Sequence, residues 1–545
     1  MSVDLQKVPL IHELEDFPSD GNDPISYQDR RPSRNGVGVA HYIRITTRRI
    51  SDRFNGLLYA SRGQPAARAS LWHILQSIFL FLLPSFVASR FLAKDKCQKA
   101  PHPTAYLDGL RGVASFAVYV HHCVAAFWQP WPGYGYYTDS EGPSYNSLLR
   151  LPILNLFYAG PAAVCIFFVV SGYALSVRPI SQMRRGETAP LMKTLRSALL
   201  RRPFRLFLPI AASTFLMLVL GHLGAYKTTL WYWQNFPIQF NYGGGHFTAL
   251  PTFWPDLLRW SKQAFNISLT YNFGFWWEQP WGTVKSFDEH LWTIPIEFAN
   301  SMILFATLVS VSGLKSGARL TIMMALIVLC VLRDWANLLL FWSGMVLCEL
   351  NMLLTERAKN AVSLDEPKRP RSASLARHKR YLRYAFHTIN IFCGCWLLSM
   401  PFESAYKAVG YRTIVSFTPR TVGLGWRFWT SVGAIQLMLS ISNTPGIARV
   451  FASPLASYLG SISYALYLVH GMTLHLIGIP CLWWIFRFTG YEHETPKVLG
   501  MFLAFIVTSA LTIWASDVFW RAIDVPIVKL GKHIEEKLTM REAYM

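Results

Sequence analysis

Long apolar blocks, separated by polar segments, run along most of the chain. Eleven blocks have close to the ~20 residues that an α-helix needs to cross a bilayer core of about 30 Å. They cover residues 71–93, 106–128, 153–177, 204–223, 290–312, 318–333, 335–355, 383–402, 425–445, 455–480 and 498–522. The pattern therefore predicts an all-α polytopic membrane protein.

The positions of Lys and Arg between the blocks predict the orientation of the spans, because basic loops stay in the cytosol. Residues 178–205 contain eight Lys and Arg and residues 356–383 contain nine, whereas residues 129–149 contain none. Both basic loops fall in the cytosol only if block 71–93 does not cross the membrane. We therefore predict ten spans with both termini cytosolic. The segment before the fourth span is then lumenal, and it holds the open glycosylation sequon at Asn266.

Four regions follow from this pattern. Residues 1–70 are polar and rich in Pro, Gly and Arg, which predicts a disordered cytosolic tail. Residues 71–100 are expected to form an interfacial or re-entrant segment. The membrane domain then covers residues 101–530, and residues 531–545 form a cytosolic C-terminal tail.

Composition agrees with a membrane protein. Of 545 residues, 52% are hydrophobic and 15% are charged, whereas a soluble protein would carry about a quarter charged residues. The formal net charge is +21, but the basic residues lie in loops and form no recognition motif, so we expect no nucleic-acid partner. The eight cysteines have no CxxC pair and no zinc-site spacing, so we expect small apolar core residues and no metal.

The first predicted span carries ionisable residues, which are costly in a bilayer and indicate a functional site. Arg111 and His122 are eleven residues apart, which places both on one helix face about 16 Å apart along the axis. Asp108 precedes Arg111 by three residues and can pair with it, whereas His121 points elsewhere. A core histidine and an arginine that reaches lipid headgroups are the structural alternatives.

A carboxylate enters the fourth predicted span from the lumenal side. In "DEHLWTIPIEF", Glu297 lies about seven residues, or ~10 Å, inside the span, and His290 precedes it on nearly the same face. We therefore expect Glu297 to reach the layer of His122. A carboxylate at this depth is a functional candidate. An ion pair that only joins two helices is the alternative.

Two further segments add residues at the two ends of these spans. "SISYALYLVHGMTLHL" brings His470 to the same layer, with Tyr464 and Tyr467 before it at helical spacing. "RRPFRLFLP" places Arg202 and Arg205 on one helix face at the cytosolic side, where arginine forks suit phosphate. Membrane-core aromatics and topology-setting arginines are the alternatives. The pattern indicates a site for a phosphorylated donor below a layer that can supply a base.

These segments resemble the motifs of the acyltransferase 3 family of integral-membrane O-acyltransferases. "YLDGLRGVASFAVYVHH" is similar to its opening motif, "CIFFVVSGYALS" to its second and "RRPFRLFLP" to its arginine motif. "HLWTIPIEF" is similar to its glutamate motif, "SISYALYLVH" to its Ser-Tyr-His motif and "IDVP" to its acidic motif. The matches occur in order over about residues 104–530. The residues after Glu297 depart from the bacterial pattern and are similar to the fungal branch.

The resemblance implies a ten-helix core and transfer of an acyl group, acetyl or another short one, from acyl-CoA to a hydroxyl, with no bound cofactor. The matching site residues are His122 and Glu297 for catalysis and Arg111, Arg202, Arg205 and Asp108 for the donor. The positions expected to support catalysis or to contact the acceptor are His290, Tyr464, Tyr467 and His470. Glu297 either orients the imidazole of His122 or binds the acceptor.

Three functional alternatives remain at this stage. The acceptor is a small hydroxylated metabolite, as in secondary-metabolite biosynthesis, or a glycan or cell-surface polysaccharide that meets the aromatic-rich lumenal loops. A polytopic transporter would also use buried His and Glu, but the chain shows no internal repeat. We expect an integral protein of the endoplasmic reticulum or another endomembrane.

Overall fold

The structure is a computed structural model that describes residues 78–87, 104–128, 133–138, 145–235, 249–265, 287–363 and 373–539. Within these residues the secondary structure is helical, with two isolated β-bridges and no strand. Helices suit long apolar runs because they satisfy every backbone polar group within the segment, as a bilayer requires.

The helices are numbered here in chain order. They are α1 (Ala105–Phe127), α2 (Gly160–Arg185), α3 (Thr188–His222), α4 (Lys227–Asn235), α5 (Phe253–Phe265), α6 (Thr293–Ser310), α7 (Ser316–Leu332), α8 (Ala336–Ser363), α9 (Ala373–Leu398), α10 (Arg412–Val415), α11 (Gly425–Asn443), α12 (Pro445–Phe451), α13 (Pro454–Thr473), α14 (Ile479–Thr489), α15 (Glu494–Phe519) and α16 (Val525–Leu538). π-helical turns join α13 to α14 and α15 to α16.

Each of the ten predicted spans coincides with one of these helices. Seven helical segments of the described chain are long and apolar enough to cross a membrane, and α7 is a shorter apolar helix. The two π-helical turns each merge two helices into one such segment. The all-helical membrane fold is therefore confirmed, whereas the count of ten spans and the orientation of the termini stay predictions.

Two helix boundaries differ from the sequence pattern. The apolar block at 153–177 begins with a 3-10 turn, Leu154–Tyr158, and α2 starts only at Gly160, where Pro161 suits the first helical turn. α3 begins 16 residues before the apolar block at 204–223. Its first half was predicted to be a loop because it is basic, but Arg, Lys and Leu are good helix formers.

Glycines set the closest helix crossings. A Cβ on Gly112 of α1 would lie 2.3 Å from the backbone nitrogen of Gly460 in α13, and one on Gly172 of α2 would lie 2.0 Å from the carbonyl oxygen of Phe341 in α8. Small residues allow such approach between membrane helices, where packing and not hydrophobicity drives association. The α1–α13 crossing fixes the two helices that carry His122 and His470.

The N-terminal segment 78–87 packs against a buried ion pair. Asp517 of α15 and Arg521 of the following π-helical turn have no exposed side-chain area, and their Oδ1 and Nε atoms are 2.6 Å apart. Arg521 also donates to the carbonyls of Phe81 and Leu83, at 2.6 and 2.9 Å. These carbonyls lie where the segment's helix is interrupted, so the arginine satisfies backbone groups that the break exposes.

Candidate active site

An arginine cluster, formed by Arg111, Arg202 and Arg205 with Glu297 and Asp524, lies between α1, α3, α6 and the π-helical turn after α15. Arg202 donates to Glu297 Oε1 and to Ser301 Oγ, each at 2.5 Å. Arg111 is close enough to Arg205, Glu297 and Asp524 for direct charge interaction. Three cations thus face two carboxylates, and the cluster keeps a net positive charge that suits a phosphate group.

Asp108 and Tyr464 border this cluster. Asp108 lies 3.7 Å from Arg111, and its side chain is 68% exposed, so this pair is a weak surface contact. The Tyr464 hydroxyl donates to the carbonyl of Leu206 at 2.5 Å, which ties α13 to α3 beside Arg205. All the predicted donor residues are therefore brought together at one end of α1.

A histidine layer, formed by His122, His290 and His470, lies towards the other end of α1. The ring centroid of His122 is 4.1 Å from that of His290 and 5.1 Å from that of His470. His290 and His470 are buried, whereas His122 is partly exposed. His122 is therefore the most exposed member of the layer.

Hydrogen bonds orient two of the three imidazoles. His290 Nδ1 lies 2.5 Å from Asp288 Oδ1, and His470 Nδ1 donates to the carbonyl of Tyr467 at 2.8 Å. The Tyr467 hydroxyl donates to the carbonyl of His290 and accepts from Thr293 at 2.6 Å. With Nδ1 of His470 engaged, its Nε2 is buried and has no hydrogen-bond partner among the described residues.

The structure corrects the predicted position of Glu297. We expected it in the layer of His122, but it pairs with Arg202 in the arginine cluster, and His290 occupies the place beside His122. Helical spacing placed Glu297 about 10 Å deeper than His290, and the error was to assign His122 to the deeper level. α1 ends five residues after His122, so the layer lies near the helix ends.

Two functional candidates were not found from the sequence. Asp288 lies two residues before His290, caps the following turn through the backbone N–H of His290, and is 4% exposed. A Cβ on Gly471 would lie 2.5 Å from His290 Nδ1, so only glycine admits this ring. The Asp-x-His spacing of "DEH" was a usable signal for Asp288, whereas no sequence signal marks the contact of Gly471. Asn266 lies outside the described residues.

Asp288 is a charged group in this layer. Burial raises the pKa of its carboxyl, but the charge and hydrogen bonds of His290 outweigh burial and hold that pKa below its ordinary value. Its Oδ2 atom has no hydrogen-bond partner among the described residues. A buried carboxylate thus faces the imidazoles with unused capacity to stabilise positive charge.

The three imidazoles could also hold a metal ion, because their ring nitrogens lie within 4.8 Å of one another. Nitrogen ligands around one Zn²⁺ at about 2.1 Å are about 3.4 Å apart, so the layer would have to contract to bind it. The arrangement fits free imidazoles better than metal ligands. The expected lack of a metal stays a prediction.

Comparisons with known proteins agree with the motifs. The model of the acyltransferase 3 family, described as an acyltransferase domain, matches residues 104–521. The chain is 30% identical over 470 residues to the O-acetyltransferase PaAT-1 of Phomopsis amygdali, covering 83% of this chain and 88% of that protein. It is 25% identical over 477 residues to the acyltransferase clz18 of Cochliobolus lunatus, covering 81% and 97%. No solved structure matches.

The matched range contains both the arginine cluster, apart from Asp524, and the whole histidine layer. The family is one of enzymes, which argues against the transporter alternative. The chain therefore belongs to the acyltransferase 3 family, and it is an acyltransferase that transfers groups other than aminoacyl groups.

Proposed function

We propose that the protein transfers a short acyl group, such as acetyl, from acyl-CoA to a hydroxyl of a small metabolite. One observation carries the proposal: α1 contributes Arg111 to the arginine cluster and His122 to the histidine layer, eleven residues apart. That separation is about 16 Å along the helix. A donor with phosphates at one end and a thioester at the other matches this arrangement.

The arginine cluster is the proposed site for the phosphates of acyl-CoA. Arg202 is held by Glu297, so its guanidinium is already oriented when the donor arrives. Arg205 is exposed and Arg111 is partly exposed, which leaves their forks accessible. Bidentate arginine contacts to phosphate are among the strong hydrogen bonds in proteins.

His122 is the proposed general base. It takes the proton of the acceptor hydroxyl, and the oxygen attacks the thioester carbonyl to form a C–O bond. The tetrahedral intermediate then expels the CoA sulfur, which receives the proton from the imidazolium of His122. A positioned base typically contributes about 10²–10⁴-fold to the rate. In this arrangement Glu297 acts on the donor side, through Arg202.

The proposed acceptor is a small metabolite of a secondary pathway, and the name of one relative, an O-acetyltransferase, supports an oxygen acceptor. A glycan is the second candidate. Mass spectrometry of metabolites in cells with and without the protein tests this choice. A small molecule that gains the mass of one acyl group supports the metabolite, whereas acylated polysaccharide alone supports the glycan.

The proposed orientation places the arginine cluster towards the cytosol, where acyl-CoA would enter, in an endomembrane such as the endoplasmic reticulum. The basic residues beside Arg202 support this side. The sequon at Asn266 would then be lumenal. Loss of a glycosidase-sensitive gel shift in Asn266→Gln would support this orientation, and a cytosolic label on the 266–286 segment would contradict it.

The chemistry is tested by CoA release from acyl-CoA with purified protein and an alcohol acceptor, without a membrane gradient. His122→Ala should lower kcat by about 10²–10⁴-fold. His387→Ala is the control, because His387 is a buried histidine of α9 that lies away from the layer. Undiminished turnover in folded His122→Ala would refute the assignment.

A further inference from the structure

Asp288 and His290 form a buried carboxylate–imidazole pair. The His290 ring of this pair contacts His122, the proposed base. The closest ring contact in the histidine layer joins His290 to His122, with 4.1 Å between centroids and 76° between ring planes. Asp288 Oδ1 lies 2.5 Å from Nδ1 of the same His290 ring. The order carboxylate, imidazole, imidazole therefore runs from the loop before α6 to the reacting centre.

The surroundings allow this pair one arrangement. Asp288 Oδ1 accepts from both the backbone N–H and Nδ1 of His290. The Tyr467 hydroxyl donates to the carbonyl of the same residue. A Cβ on Gly471 would lie 2.5 Å from His290 Nδ1 and 3.2 Å from Asp288 Oδ2, so α13 closes over both side chains. Side chains fixed in this way keep catalytic groups in the productive geometry.

The chemistry of the layer requires a compensating charge. When His122 takes a proton, an imidazolium forms beside two buried imidazoles, where charges are screened less than in bulk water. Glu297 is engaged by Arg202 in the arginine cluster. Among the described residues, Asp288 is the carboxylate that contacts the layer, and its interactions extend to both His290 and His470.

We propose that Asp288 is a positioning residue for the acyl transfer, acting through His290 to orient His122 and to stabilise the imidazolium that forms on it. This inference rests on the proposed role of His122 as the base. Neither the arginine cluster nor the acceptor supplies a negative charge beside His122, whereas Asp288 and His290 together can. Replacing the aspartate by asparagine costs about 10⁴-fold in kcat where the aspartate bonds the base itself; Asp288 is separated from His122 by the ring of His290, so that loss is the upper bound expected here.

The first test is Asp288→Asn, which keeps the size and the capping oxygen but removes the charge. We expect kcat to fall by about 10²–10⁴-fold with the KM for acyl-CoA unchanged, and Asp288→Glu to restore part of the loss. Asp256→Asn is the matched control, because Asp256 is fully buried and lies 3.0 Å from His222 but outside the layer. It should leave kcat of the folded protein unchanged.

A double-mutant cycle separates positioning from simple stability. In a His290→Gln background, Asp288→Asn should cost little more, because Asp288 acts through the missing ring. Full additivity of the two losses, or wild-type kcat in folded Asp288→Asn, would overturn the inference. If His122→Ala is inactive in the same assay, the proposed function stands and only the role of Asp288 fails.

Discussion

The sites at the two ends of α1 consist of different kinds of side chain. The arginine cluster combines permanent charges of both signs, and its side chains remain partly exposed, as with the 14% and 16% of Arg202 and Glu297. The histidine layer combines three imidazoles with one adjacent carboxylate: Asp288 orients His290, and the backbone carbonyl of Tyr467 orients His470. The first arrangement suits binding of a charged group, and the second, with His290 and His470 buried and His122 partly exposed, suits proton transfer.

This difference teaches that position on the same helix face does not imply the same task. Arg111 and His122 share a face of α1, yet each is completed by other helices: Arg111 by α3 and α6, and His122 by α13 and the turn before α6. Changes at one end should therefore alter donor binding and changes at the other end should alter turnover. The following predictions test that separation.

The largest effect is expected from displacing the histidine layer without removing a histidine. Gly471→Ala places a methyl group 2.5 Å from His290 Nδ1 and must shift that ring. A misplacement of about 1 Å can cost about 10²-fold in rate, so kcat should fall by that order while the KM for acyl-CoA stays constant. Gly531→Ala is the control, since a Cβ there would lie an ordinary 3.8 Å from the nearest side chain, that of Phe204. Equal kcat in both variants would contradict the role of the layer.

A smaller effect, on binding alone, is expected at the other end. Arg111→Ala should raise the KM for acyl-CoA by about 10–100-fold, since a hydrogen bond to a charged group contributes about 1.5–3 kcal/mol. Arg111→Lys keeps the charge but loses the fork, so its KM should be intermediate. Arg449→Ala, an exposed arginine of α12, should change nothing. A loss confined to kcat would contradict the assignment of Arg111 to donor binding.

Metal ions should distinguish free imidazoles from metal ligands. If His122 acts as a base, EDTA should leave turnover unchanged, and added Zn²⁺ should inhibit about 10-fold or more by occupying the ring nitrogens. His470→Ala should weaken this inhibition, because one of the three ligands is lost. Activity that disappears with EDTA and returns with Zn²⁺ would instead make the layer a metal centre.

The smallest effect is expected at Tyr464. Tyr464→Phe removes its hydrogen bond to the Leu206 carbonyl and should lower the free energy of unfolding by about 1 kcal/mol. Turnover of the folded protein and the KM for acyl-CoA should remain close to wild type. Thermal unfolding in detergent measures the first quantity, with exposed Tyr384→Phe as the control. A large loss of turnover would move Tyr464 into the chemistry.

Much of the fold could be predicted, because a segment that crosses a bilayer has to be helical and about 20 residues long. All ten predicted spans are helices, and the shared face of Arg111 and His122 follows from 3.6 residues per turn. The basic start of α3 was missed, because charge predicts topology but does not prevent a helix. The glycine contact at Gly471 was missed because it depends on a neighbour that is distant in sequence.

The sequence identified most residues of the site, but it did not predict correctly which of them lie side by side. Helical spacing gives the depth of a residue on its own helix, but not which residue of another helix lies beside it. Glu297 was therefore assigned to the wrong layer, and His290, named only as a supporting residue, lies against His122. Asp288 lies in the loop before α6, where periodicity carries no information.

Equilibrium binding of acyl-CoA to purified His122→Ala and Arg111→Ala tests the central claim most directly, when measured beside their turnover. The separation of tasks along α1 predicts that His122→Ala binds acyl-CoA as the wild type does but shows almost no turnover. It predicts that Arg111→Ala binds about 10–100-fold more weakly and, at saturating donor, turns over at nearly the wild-type rate. Loss of binding in His122→Ala, or unchanged binding in Arg111→Ala, would contradict it.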